Sequence, residues 1–187
     1  MSKILKSIFL CVKYLQLNKV IIHPTEGFFG LGCNPDNYKA IKKIIILKKR
    51  AFNKGFILIA HSYELLRPYI SEKKITFSMK NKFLNKTFDF ITYLVPSNPH
   101  NPSWINGGSD LIAVRLTNHN ILKKLCFLFG KPIISTSANL SGLKPCKSLK
   151  EIIQFFGNKI PILSHTLGKK KKSSKILNLM TGKVIRE

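Results

Sequence analysis

The chain has 187 residues and carries 28 Lys and 4 Arg against 8 acidic side chains, a formal charge of +24. A hydrophobic fraction of 44% supplies a folded core and argues against charge-driven disorder, and no apolar run approaches the roughly 18 to 20 residues that span a bilayer. The apolar stretch Ile8 to Val12 stops at Lys13, short of the roughly 7 to 15 residues of a signal-peptide core, so a soluble, cytoplasmic protein with no membrane partner is expected.

Ile4, Leu5, Ile8, Phe9, Val12 and Leu15 recur at three- and four-residue steps, which predicts a first helix ending near Asn18. Val20 to Ile22 read as a short buried strand terminated by His23 and Pro24, followed by a turn carrying Gly27, Gly30 and Gly32. Asp36 or Asn37 caps a helix through Ile41 and Ile44 to Lys48. A strand over Ile57 to Ala60, a short helix over Tyr63 to Ile70 and an irregular basic stretch from Lys73 to Lys86 come next. Ile91 to Val95 and Leu111 to Leu116 are predicted strands separated by a Pro/Asn/Gly loop. Asn118 or His119 opens a helix stopped by Gly130, Pro132 to Ser135 form a strand, and Ser148 caps a helix through Phe156. Ile160 to Leu163 extend again, and a terminal hairpin joins Ile176 to Leu179 with Val184 to Ile185. Alternating strands and helices with some adjacent strands predict one α/β domain, residues 1–187, on a mixed sheet.

The positive charge has two readings. A basic surface attracts nucleic acid and other anions, yet an excess of Lys over Arg with abundant Ile, Asn and Phe also follows from a coding sequence rich in A and T. Cys11, Cys33, Cys126 and Cys146 lack metal-knuckle or Cys-x-x-Cys spacing and read as reduced structural thiols. The carboxylates are too few and too scattered for a multi-carboxylate metal cage, and neither a nucleophile elbow nor a P-loop occurs.

Three segments look suited to anions. Thr25 offers a hydroxyl beside free amides in the Gly-rich segment His23 to Gly32. Lys48, Lys49 and Arg50 close a helix, where pairing with the helix dipole is the plainer explanation. Ser135 to Gly142 crowd hydroxyls and amides behind a buried strand, a position that suits phosphate or carboxylate binding at the edge of an α/β sheet.

Taken together, Pro24-Thr25-Glu26-x-x-Phe29-Gly30-Leu31-Gly32, Lys48-x-Arg50, Ala113-Val114-Arg115 and Ser135-Thr136-Ser137-Ala138-Asn139-Leu140-Ser141-Gly142 strongly resemble the YrdC/Sua5 family of threonylcarbamoyl-AMP synthases, in its short bacterial form. The resemblance implies a YrdC-like twisted mixed sheet flanked by helices, with a basic concave cleft. It also implies a nucleotidyltransferase that makes L-threonylcarbamoyladenylate and pyrophosphate from L-threonine, bicarbonate and ATP, with Mg2+ carried by ATP. The product would feed downstream threonylcarbamoyl-transferase proteins acting on tRNA; weak RNA binding is an expectation of the basic surface alone, and the resemblance does not imply it. An RNA-binding protein that keeps the fold without catalysis is the alternative, disfavoured because RNA binding alone does not call for the Lys48, Arg50, Ser137 and Asn139 set beside Thr25.

By position, the resemblance assigns Lys48 and Arg50 to catalysis and, with Ser137 and Asn139, to the nucleotide and carboxylate site. Thr25 and Ser135 would contact threonine, Arg115 would pair with a carboxylate or carbonate, and His61 would join the threonine pocket. Thr92 and Ser174 would lie near ATP. The chain departs from the family pattern in four places: Phe88-Asp89-Phe90 replaces a Pro-Gly-Pro turn before Thr92, Phe29 replaces a Tyr, Ser173 stands where Pro usually precedes Ser174, and Lys169 to Lys172 fill a loop that is usually less basic.

Overall fold

Ile57–Ala60 and Leu111–Leu116 fold as the strands that their apolar runs predict, and they lie parallel to one another at the centre of the sheet. The computed structural model describes residues 4–51, 53–85 and 90–187. In chain order these hold β1 (Ile4–Leu5), α1 (Ile8–Gln16), β2 (Ile21–Pro24), β3 (Phe29–Cys33), α2 (Tyr38–Lys48), β4 (Ile57–Ala60), α3 (Tyr63–Leu66), α4 (Phe77–Asn85) and β5 (Ile91–Pro96). They continue with α5 (Ser103–Asn106), β6 (Leu111–Leu116), α6 (Asn120–Phe129), β7 (Ile133–Ser137), α7 (Leu149–Phe156), β8 (Ile162–Leu163), β9 (Lys175–Asn178) and β10 (Val184–Arg186). Among the described residues the strands form one mixed, twisted sheet in the order β1-β8-β2-β3-β7-β4-β6-β5-β9-β10. No described helix is long and apolar enough to cross a membrane.

Side-chain alternation divides the core between the two faces of this sheet. Ile21, Ile59 and Ile133 join Ile8, Cys11, Val12 and Leu15 of α1 and Leu122, Leu125 and Cys126 of α6 in one apolar layer. Their strand neighbours Ile22, Leu58 and Ile134 join Ala40, Ile41 and Ile44 of α2 and Ile152 of α7 in the other. Of the helical stripe read from the sequence, Ile8, Val12 and Leu15 are buried by α1, whereas Phe9 is exposed and Cys11 completes the buried face in its place. Asn37 caps α2 by accepting from the amide of Ala40 at 2.9 Å, and Ser148 and Glu151 form a reciprocal capping box on α7.

Four sequence expectations are corrected. Ile4 and Leu5 form a strand rather than the first turn of a helix, because they pair in parallel with Ile162 and Leu163, a ladder that local spacing cannot reveal. Gly30 and Gly32 lie inside β3 rather than in a turn, and β2 runs on through His23 and Pro24 to pair with them. The basic stretch after Lys73 contains helix α4, which buries Phe83; Lys86, Phe88 and Asp89 lie outside the described residues. The loop before β6 holds the short helix α5, which buries Ile105.

Candidate functional site

Strand β3 lies between β2 and β7, antiparallel to both, so Gly30 faces His23 on one side and Ser137 on the other, while Gly32 faces Ser135. A Cβ on Gly30 would sit 2.9 Å from the His23 ring and 3.1 Å from Ser135 Oγ, so only glycine leaves this surface open. Above it lies a cavity of about 370 Å³ lined by Thr25, Ser135, Ser137 and Ser174 together with Arg50, Arg115 and Arg186. Among the described residues, three of the chain's four arginines line it, and none of its lysines or carboxylates does.

Helix α2 delivers Lys48 and Arg50 in opposite senses. Lys49 adopts the left-handed conformation (φ 48°), and the amide of Arg50 reaches back to the carbonyl of Ile45 at 3.0 Å, a helix-ending reversal usually made by glycine. Lys48 therefore points inward, where its Nζ donates to the carbonyls of Ser137 and Asn139 and to Asn139 Oδ1. Burial, and then the charge of Arg50, bring its pKa down to about 8. Arg50 turns to the cavity, donates to the carbonyl of Gly55 at 2.7 Å and lies 5.2 Å from the centre of the Phe56 ring. Ser137 Oγ donates to Asn139 Oδ1 at 2.6 Å, so Lys48, Ser137 and Asn139 form one locked turn.

Arg115, on β6, is 4% exposed. Its Nη1 lies 3.2 Å from Glu26 Oε2, an ion pair rather than an aligned hydrogen bond, and its guanidinium stacks on Phe90 at 4.6 Å. Burial alone would raise the pKa of Glu26, but Arg115 and the Thr117 hydroxyl together hold it below the usual carboxylate value. Phe90 is itself in the left-handed region (φ 56°), a conformation that costs a non-glycine residue about 1 kcal/mol or more and that clusters at functional sites. On the far side, Arg186 donates to the carbonyl of Ser174 at 2.7 Å, and Ser174 Oγ bonds the fully buried Thr92 Oγ1 at 2.7 Å. Thr25 Oγ1 donates to the carbonyl of Phe28 at 2.7 Å, which shapes the first loop.

The sequence-derived set is thus brought together in part. Thr25, Arg50, Arg115, Ser135, Ser137 and Ser174 face the cavity, whereas Lys48, Asn139 and Thr92 stand directly behind that surface. His61 is not on the cavity lining and packs edge-on against Phe127 at 5.6 Å. Sequence reasoning assigned no role to Glu26, Phe56, Phe90 or Arg186. For Arg186 the signal was the rarity of Arg in a chain this biased toward Lys, although the exposed Arg67, paired with Glu72, shares that rarity without lining the cavity. The four cysteines are free and buried, and burial pushes Cys11 up to about 12 and Cys146 up to about 11.

A family model described as "Telomere recombination" (Sua5_yciO_yrdC) matches residues 13–187. The chain is 47% identical over 176 residues to a protein named threonylcarbamoyl-AMP synthase from Buchnera aphidicola subsp. Baizongia pistaciae, covering 94% of this chain and 95% of that one. It is 43% identical over 173 residues to a protein of the same name from Photorhabdus laumondii subsp. laumondii, covering 92% of each chain. A solved structure of P. abyssi Sua5 complexed with L-threonine superposes with a TM-score of 0.84 at 27% identity, over 92% of this chain and 51% of that one, so the chain spans about half the length of that Sua5. The match across nearly all of its sequence, on a common mixed sheet, establishes that the chain belongs to the Sua5/YciO/YrdC family.

Proposed function

We propose that the chain makes L-threonylcarbamoyladenylate and pyrophosphate from L-threonine, bicarbonate and ATP, a nucleotidyl transfer whose product serves N6-threonylcarbamoyladenosine formation in tRNA beside the anticodon. What carries this reading is the cavity lining: three arginines converge with seven hydroxyl side chains, Thr25, Ser135, Ser137 and Ser174 among them, and no carboxylate is among the described lining residues. Relatives that bear the synthase name over more than nine-tenths of this chain support it, as does the threonine complex of a family neighbour.

In this reaction the threonine amine joins the carbon of bicarbonate with loss of water, giving a carbamate. A carbamate oxygen then bonds to the α-phosphorus of ATP, and the bond to the bridging oxygen breaks, so that pyrophosphate leaves with the electron pair. The step needs alignment of anions and neutralisation of their charge more than a protein acid–base pair. Arg115, Thr25 and Ser135 are suited to the threonine side, and Arg50, Arg186, Ser137 and Ser174 to the phosphates, while Lys48, Asn139 and Thr92 hold those groups from behind. A cation 4 Å from a phosphate oxygen is worth about 4 kcal/mol at an effective dielectric of roughly 20, before desolvation. Among the described residues no three His, Cys, Asp or Glu side chains gather to hold a metal, so Mg2+ would enter as part of the ATP substrate. Residues 1–187 act as one YrdC-like domain in the cytoplasm, handing the adenylate to threonylcarbamoyl-transferring proteins, with surface lysines giving weak contact to RNA. The test is synthesis of the adenylate, with matching pyrophosphate, from the three substrates; pyrophosphate release that continues without threonine overturns the reading.

A further inference from the structure

We infer that Glu26 is a positioning residue: its carboxylate fixes the guanidinium of Arg115 so that the remaining edge of that group meets an anionic ligand in the cavity. The ligand's identity, the carboxylate of threonine or of its carbamate, rests on the reaction proposed above. Glu26 is 9% exposed in a chain with only 8 acidic side chains, so its burial is not a surface accident. Its Oε1 accepts from the Thr117 hydroxyl at 2.6 Å and the Asn118 amide at 3.3 Å, which orients Oε2 toward Arg115 Nη1. Its main-chain oxygen accepts from the Lys170 amide at 2.8 Å, tying the same residue to the segment that carries Ser174. Arg115 has five N–H donors. Glu26 meets Nη1 as an ion pair and Phe90 covers one face, and Nε has no partner among the described residues although the side chain is buried and lines the cavity. A buried guanidinium with donors to spare, held in one plane by a carboxylate and a ring, is prepared for planar recognition of a second carboxylate.

Two simpler roles predict different outcomes. If Glu26 only balanced a buried charge, removing it would raise the local positive potential and tighten every anion. If it only supported the fold, its loss would weaken all ligands together. Positioning predicts a split, measured by calorimetric titration of L-threonine and of ATP into the full chain and by KM against kcat. Glu26→Gln weakens threonine about tenfold while ATP stays within about twofold, Glu26→Asp recovers most of the loss, and the exposed Glu64→Gln matches the wild type. Tightening of both ligands, parallel weakening of both, or unchanged threonine affinity overturns the inference. Should Glu26→Gln not fold, Thr117→Val removes only the hydroxyl that orients the carboxylate; about threefold weaker threonine with unchanged ATP supports the inference, and no change sinks it. A wild-type chain that binds no threonine counts against the proposed reaction instead. The Glu26 assignment is then decided by acetate, a bare carboxylate, which Glu26→Gln weakens if Glu26 orients Arg115, and which binds equally or more tightly if it does not.

Discussion

Lys48 Nζ lies 2.9 Å from both the main-chain oxygen and the Oδ1 of Asn139, and its third N–H meets the carbonyl of Ser137. Three donors and three acceptors close this set, so the lysine braces the turn that presents Ser137, while Arg50, two residues on, carries the charge into the cavity. One family signature thereby splits into a structural half and a ligand-facing half.

That division predicts different fates for the two residues. Lys48→Met leaves buried carbonyls unpaired and should lower unfolding free energy by about 3 kcal/mol, with activity lost as the turn disorders. Arg50→Ala, which gives up two bonds to the carbonyls of Lys54 and Gly55 at the cavity edge, should cost about 1 kcal/mol but lower kcat/KM by about a hundredfold or more. Urea denaturation alongside the adenylate assay checks both; equal destabilisation by the two changes contradicts the division.

Charge on the surface should behave differently from charge in the cavity. Lys169 to Lys172 are exposed, so replacing Lys170 and Lys171 by Gln should leave turnover near wild type in 0.15 M salt, where the screening length is about 8 Å, and should flatten the dependence of kcat/KM on ionic strength. A loss as large as that of Arg50→Ala would move the site toward those lysines.

Stability should fall on mild acidification because of His23. The ring is fully buried beneath Gly30 and Gly32, and desolvation holds its pKa near 4 against an ordinary 6.5, with Arg115 and His119 adding to the shift and the Pro24 carbonyl and Glu26 opposing it. Between those values the unfolded chain binds more protons than the folded one, so the stability present above about 6.5 is lost as pH falls toward 4, about 3 kcal/mol across the window. His23→Gln does not titrate, and its urea midpoint should change less between pH 7 and pH 5 than that of the wild type. Identical slopes in the two proteins would assign the effect to other groups.

The segment carrying Ser173 and Ser174 should prove intolerant of bulk at one point. Gly168 donates to the Thr25 carbonyl at 2.9 Å, and a Cβ there would lie 2.5 Å from the Glu26 oxygen. Gly168→Ala should push this segment off the first loop, costing about 1–3 kcal/mol and raising KM for threonine and for ATP. Gly130→Ala is the comparison: its Cβ meets nothing within 4 Å, but φ is +72° at a helix end, so about 1 kcal/mol of stability is lost and KM is unchanged.

Much of the local structure was legible because it depends on near neighbours. Leu111–Leu116 and the Ser148-capped helix match their sequence signals residue for residue, since an apolar run and a capping box act over a few positions. Thr25, Ser135 and Ser137 were legible as candidate ligand groups because hydroxyls and amides crowd at strand ends, whereas Arg50 stood out only through the resemblance to the family motif, since a basic helix end is explained by the helix dipole. Gly30 and Gly32 were recognised as special but misplaced, because the feature that excludes a side chain there is the His23 ring across a strand pair, not a tight turn.

By itself, then, the sequence determined an α/β chain, its main elements, a Lys-biased surface charge and a set of residues suited to anions. The tertiary structure decided which of those residues share a cavity. Strand pairing set β3 between His23 and Ser137, turned Lys48 behind the surface that Arg50 faces, left His61 off the lining, and brought Arg186 and Glu26 to the same site from distant segments. The physical reason is range: helical spacing, caps and turns are fixed by residues a few positions apart, whereas ladder register and buried ion pairs depend on partners that only the folded sheet makes neighbours.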